Sequence, residues 1–186
     1  MADQLKILIL EDDPRDVELI RRELTRAGVD FISKVTIDKE TFIKELGSFE
    51  PDIVLSDFSM PQLDAMTALD IVKSRVSEIP LIVVTGAISE ETAVECMLEG
   101  AADYVLKSHL AKLGPAVQRT MDRKREHDER LGAEEELKEK LRNISDFNAL
   151  MVGREQRIVE LKQEVNSLLA ELGRAPKYFL SGKVMP

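Results

Sequence analysis

The sequence predicts an α/β fold: a five-stranded parallel sheet with helices on both faces, followed by a long helical extension. Three observations predict it. Short apolar runs and amphipathic stretches alternate five times. The apolar runs are nearly continuous, as in strands buried on both faces, rather than alternating with polar residues. No proline occurs between Pro115 and Pro176, so a helix can run almost unbroken through that charged segment.

The elements follow in order. Leu5-Lys6-Ile7-Leu8-Ile9-Leu10 is the first buried strand, ended by Glu11-Asp12-Asp13-Pro14. Pro14 suits a first helical turn, Val17, Ile20, Leu24 and Ala27 recur at helical spacing, and Gly28 caps that helix. Phe31 to Ile37 and Lys39 to Leu46 form the second strand and helix. Asp52 to Ser56 is a third strand, closed by Asp57 and the turn-like Ser59-Met60-Pro61. A helix from about Asp64 to Arg75 leads to the strand Leu81-Ile82-Val83-Val84, which Thr85-Gly86-Ala87 ends. A helix from about Glu90 to Leu98 stops at Gly100. Tyr104-Val105-Leu106 is the fifth strand and Lys107 ends it. Pro115 sits near the start of the last helix.

Open parallel sheets bind ligands beyond the carboxyl ends of their strands. The residues placed there are Asp12 and Asp13, Asp57, Thr85 and Lys107, so these should converge on one rim. Three carboxylates on one rim repel each other unless a divalent cation sits among them. Hard oxygen ligands with room for water suit Mg²⁺. A carboxylate beside Mg²⁺ can act as a nucleophile toward a phosphoryl group, whose oxygens a lysine ammonium and a hydroxyl can then bind. Lys107 and Thr85 supply these groups, and Gly86 leaves space for a donor.

Composition narrows the function. The net charge is −9, which argues against a nucleic-acid partner. Twelve basic and twelve acidic residues lie from Lys124 onward, so the whole excess falls on the first 123 residues. The single cysteine, Cys96, excludes an intrachain disulfide and reads as a small buried hydrophobe. No apolar run reaches the roughly 18 residues of a membrane span, and the N-terminus lacks the pattern of a signal peptide. A cytoplasmic protein is expected.

The set Ile9-Leu10-Glu11-Asp12-Asp13, Leu55-Ser56-Asp57-Phe58-Ser59-Met60-Pro61, Val84-Thr85-Gly86 and Asp103-Tyr104-Val105-Leu106-Lys107 resembles the response-regulator receiver domain of two-component signalling. The pieces occur in order at the strand ends. The resemblance covers residues 1 to about 123 and implies a flavodoxin-like sheet. It implies that Asp57 accepts a phosphoryl group from a histidine kinase or phosphotransfer protein. It also implies that Asp12, Asp13, Asp57 and the backbone carbonyl of Ser59 hold Mg²⁺. Lys107 would pair with Asp57 and then with the phosphoryl group; Thr85 and Tyr104 would form the switch. Slow self-dephosphorylation is expected, but not enzymatic turnover. Aspartyl-phosphate hydrolases carry a second Asp two residues past the nucleophile, where this chain has Ser59. The sequence departs from the family in one place: Ser108 replaces the proline, with its cis bond, that usually follows the lysine.

Beyond residue 123 a heptad register emerges. Position a is Leu137, Ile144, Met151, Ile158, Val165 and Leu172; position d is Ala133, Lys140, Phe147, Arg154, Leu161 and Leu168. This predicts a coiled coil over 124–175 that pairs chains into a homodimer, with 176–186 a flexible tail. Gly132, Asn148 and Gly153 are candidate breaks. His127 reads as a solvated helix residue. The functional expectation is a response regulator, without a DNA-binding output domain, that signals through its coil by altered self-association or partner binding. The alternatives are a constitutive coiled-coil scaffold with a docking receiver, or a fragment of a larger hybrid sensor kinase.

Overall fold

The structure, a computed structural model, describes residues 4–75, 79–86 and 90–178. Five strands and five α-helices alternate: β1 Leu5–Leu10, α1 Pro14–Arg26, β2 Phe31–Thr36, α2 Lys39–Ser48, β3 Ile53–Asp57, α3 Ala65–Arg75, β4 Leu81–Thr85, α4 Glu90–Leu98, β5 Asp103–Leu106 and α5 Leu113–Glu171. A 3-10 turn, Lys107–Lys112, joins β5 to α5. The sequence pattern gave no sign of that turn.

The strands form one sheet in the order β2-β1-β3-β4-β5, and every pairing is parallel. Alternate side chains enter opposite layers. Leu8, Leu10, Val54, Leu81 and Val83 pack under α2 and α3, with Phe42, Leu46, Leu69, Val72 and the buried Cys96. Ile7, Ile9, Ile53, Leu55, Ile82, Val84 and Val105 pack on the other face. There they meet Val17, Ile20 and Leu24 of α1 and Leu113, Ala116 and Val117 of α5. Burial on both faces is why these strands read as unbroken apolar runs.

Side-chain caps fix where helices begin. Asp13 is the N-cap of α1, its Oδ1 accepting from the Arg15 N–H at 2.9 Å, with Pro14 just behind it. Asp38 caps α2 by accepting from the Thr41 N–H at 2.9 Å. Gly114 lets α5 approach the end of α1: a Cβ there would lie 2.1 Å from the Ala27 Cβ.

Two compact units divide at Asp128. In the second, helix continues through Gly132, Asn148 and Gly153, so none of these residues breaks it. Its a and d positions are exposed along the length, among them Leu137, Ile144, Phe147, Ile158 and Leu168. Past the helix, Gly173 adopts φ +70°, and the N–H groups of Gly173 and Arg174 bond Ala170 O and Leu169 O, closing the last turn. The Asn166 side chain then ties the chain back. Its Oδ1 accepts from the N–H groups of Lys177 and Tyr178 at 2.9 and 3.0 Å, and its Nδ2 donates to Tyr178 O at 2.7 Å. Lys177 and Tyr178 belong to the stretch that the sequence pattern marks as a flexible tail, and here they are held. Residues 179–186 of that stretch, and Ala87 beside Gly86, lie outside the described residues. Among the described residues no helix is long and apolar enough to cross a membrane.

Candidate functional site

The strand order reverses direction between β1 and β3, and the crevice at that switch point lies beyond their carboxyl ends. Glu11 continues β1 by one residue, its N–H donating to Thr36 O. That extension turns the Glu11 side chain into the rim, where the residue is 2 % exposed. Asp12 follows on the exposed side, and Asp57 ends β3 with its side chain 12 % exposed. Carboxylate oxygens of Glu11, Asp12 and Asp57 all lie within 4.8 Å of one another.

Asp13 does not join them. Its carboxylate caps α1 and binds the Arg15 guanidinium at 2.7 Å, which holds its pKa down to about 2. The sequence reading placed Asp13 among the metal ligands; the structure groups Glu11, and not Asp13, with Asp12 and Asp57. Pro14 was the available signal. A proline at the first helical position marks the residue before it as a cap.

Lys107, at the start of the 3-10 turn, carries the positive charge of the site. Its ammonium donates to Asp57 Oδ2 at 2.9 Å and to Asp16 Oδ2 at 2.6 Å. Burial alone would depress this lysine's pKa, but its contacts with the Asp16, Glu11 and Asp57 carboxylates outweigh burial and raise it. Asp16, on the first turn of α1, was not anticipated; it is 91 residues from Lys107 in sequence. The ammonium also lies 2.7 Å from Glu11 Oε2, out of line for a hydrogen bond, so this buried oxygen has a charge contact and no hydrogen bond. Burial pushes the Glu11 carboxyl up, against the opposing pull of Lys107 and the Asp13 N–H.

Thr85 ends β4, buried and beside Leu106 in the sheet register, while Asp57 pairs with Val84. Both therefore reach the same edge. Tyr104, on β5 opposite Val83, is 42 % exposed and stands away from the carboxylates on the outer strand. Ser59 lies two residues past Asp57, in the connection to α3. No cis peptide bond occurs among the described residues, so the bond from Lys107 to Ser108 is trans.

A hard divalent cation fits the donor set. It would give Glu11 Oε2, which has a charge contact but no hydrogen bond, a further partner, and relieve the repulsion among three carboxylates, which one ammonium offsets only in part. Glu11, Asp12 and Asp57 are the residues that could hold it.

Comparison with known proteins agrees with this geometry. Residues 7–118 match the family described as the response regulator receiver domain. The chain is 34 % identical over 119 residues to regulatory protein AtoC of Escherichia coli, covering 62 % of this chain and 25 % of that protein. It is 27 % identical over 170 residues to the C4-dicarboxylate transport transcriptional regulatory protein DctD of Pseudomonas aeruginosa, covering 90 % of this chain and 35 % of that one. The chain thus spans about a quarter to a third of these relatives. Among solved structures it is similar to a CheY-like receiver domain protein from Methanospirillum hungatei. That likeness has a TM-score of 0.59 and 19 % identity, covering 67 % of this chain and 99 % of the other. With the matched family spanning more than half of its length and the five-stranded receiver fold in place, the chain belongs to the response regulator receiver domain family.

Proposed function

We propose that this protein is a phosphoacceptor signalling protein in which Asp57 receives a phosphoryl group from a histidine kinase or phosphotransfer protein. One observation carries the reading. The Asp57 carboxylate, 12 % exposed, lies at the switch-point crevice with an ammonium 2.9 Å away and two further carboxylates within 4.8 Å. That arrangement can accept a phosphoryl group and neutralise it.

An oxygen of Asp57 attacks phosphorus, and the bond from phosphorus to the donor nitrogen breaks with its electron pair leaving on the donor. Lys107 then binds a phosphoryl oxygen. The Thr85 hydroxyl, at the end of the neighbouring strand, binds another, and Tyr104 moves inward behind it. Glu11, Asp12, Asp57 and the Ser59 carbonyl would hold Mg²⁺, which would supply charge neutralisation to the transferring group. Asp13 keeps the start of α1. Ser59 offers no acid or base for rapid turnover, so the acyl phosphate decays slowly and the protein is not an enzyme in the usual sense.

The receiver occupies residues 1–123, with a coil over 124–175 and a tail beyond. The division of the structure into two units at Asp128 supports that organisation. The exposed apolar stripe of α5 supports homodimer formation. The acid excess of the first 123 residues speaks against nucleic acid as the receiver's own partner. We place the protein in the cytoplasm, where its phosphodonors reside.

Intact-mass spectrometry with phosphoramidate tests the reading. Wild type with Mg²⁺ should gain one phosphoryl group, and it should gain none after EDTA or in Asp57→Ala. Equal phosphorylation in Asp57→Ala would overturn it.

A further inference from the structure

A lysine ammonium has three N–H donors. At Lys107 the two hydrogen bonds go to Asp16 Oδ2, at 2.6 Å, and Asp57 Oδ2, at 2.9 Å, and the remaining side faces Glu11 Oε2 at 2.7 Å. Three carboxylate oxygens thus lie within 2.9 Å of the ammonium nitrogen. A phosphoryl oxygen arriving on Asp57 needs one of those positions, so one contact has to open.

The three contacts are not equally easy to open. The Glu11 side chain is 1 % exposed, and releasing it would strand a buried charge. Asp57 itself carries the incoming group and keeps it beside the lysine. The Asp16 side chain is 26 % exposed, on the first turn of α1, and water can replace the lysine there. Asp13 is the N-cap of α1, and the helix-start preference for an acidic residue at position 16 is met whether or not Lys107 is touched.

We propose that Asp16 is a positioning residue that holds Lys107 in the resting receiver and gives it up to the phosphoryl group. It acts as a built-in competitor and sets how readily the site accepts its ligand. The proposal rests on Asp57 being the phosphoacceptor. It differs from the other possible role for Asp16, a fixed anchor that aims Lys107 at the phosphoryl group, in the sign of the effect when the charge is removed.

The test is calorimetric titration of the full chain with beryllofluoride in Mg²⁺, comparing wild type with Asp16→Asn and Asp16→Glu. Thermal unfolding and circular dichroism confirm that each variant is folded. Asp16→Asn, whose neutral amide can still accept from the ammonium but no longer pairs its charge, should bind beryllofluoride about tenfold more tightly, the factor that corresponds to losing about 1.4 kcal/mol of competing charge pairing. Asp16→Glu, which keeps the charge, should stay near wild type. Unchanged or weaker binding by a folded Asp16→Asn overturns the proposal, and weaker binding identifies the anchor. If wild type binds no beryllofluoride, the reading of Asp57 as phosphoacceptor fails and this inference falls with it.

Discussion

At the scale of single residues, the chemistry turns on which acidic side chain faces the rim. Glu11 and Asp13 are two residues apart, yet one is buried beside Lys107 and the other caps a helix. Added Mg²⁺ should therefore raise the thermal midpoint of wild type, since a ligand that binds only the folded state stabilises it, by about 2.7 kcal/mol at a hundred times its Kd. Glu11→Gln should lose most of that shift, and Asp13→Asn should keep it. A differential scan with and without Mg²⁺ decides the matter, and the reverse ranking would restore Asp13 as the ligand. Lys107→Ala should cost about 3 kcal/mol in urea unfolding at neutral pH without metal, because it leaves the buried Glu11 carboxylate unpaired. Away from the site, the bond from the Thr41 N–H holds the Asp38 carboxyl below the usual range. Its folded pKa is depressed, so its contribution is present above the unfolded value of about 3.9 and is lost as pH falls through the lower folded value. Asp38→Asn keeps a cap acceptor without the titration. The stability gap between wild type and this variant should therefore narrow on acidification, which acid unfolding curves can show.

At the scale of elements, the receiver depends on α5 seating tightly at its start. Gly114→Ala would press a methyl group against Ala27, 2.1 Å away before relaxation. Overpacking of this kind costs about 1–3 kcal/mol, against a helix-propensity gain of about 1 kcal/mol. A net loss in denaturant unfolding is expected, and a gain would show that the contact relaxes freely. Farther along α5, Lys140 and Arg154 interrupt an otherwise apolar seam. Lys140→Leu with Arg154→Leu should strengthen self-association, with each buried leucine adding about 1.5–3 kcal/mol. Sedimentation at graded concentrations measures it. A chain that stays monomeric with both changes would show that the stripe does not pair copies.

At the scale of the whole molecule, much was legible because the two-sided burial of a parallel sheet writes itself into composition. Leu5–Leu10 and Leu81–Thr85 could be read as strands from their apolar runs, and the rim residues Asp57, Thr85 and Lys107 followed from where those runs stop. The end of β1 was harder. Glu11-Asp12-Asp13 presents three acids in a row, and which two face inward depends on the last extended residue. That residue is fixed by the backbone bond from Glu11 to Thr36 on another strand. Asp16 could not be read at all, because its meaning comes from a lysine on the far side of the sequence. The 3-10 turn after Lys107 and the Asn166 clasp on Lys177 and Tyr178 are likewise set by contacts and not by periodicity. In the other direction, Gly132 and Gly153 looked like breaks because propensity alone was weighed, while neighbouring helix formers carry the turns through.

The central claim is that Asp57 carries the phosphoryl group. Its most direct test is borohydride trapping. The protein is treated with phosphoramidate and Mg²⁺, the acyl phosphate is reduced, and peptides are sequenced by mass spectrometry. Homoserine at position 57, absent when Mg²⁺ is withheld, is the predicted result. Homoserine at another carboxylate, or none in a folded, Mg²⁺-loaded protein, would contradict it.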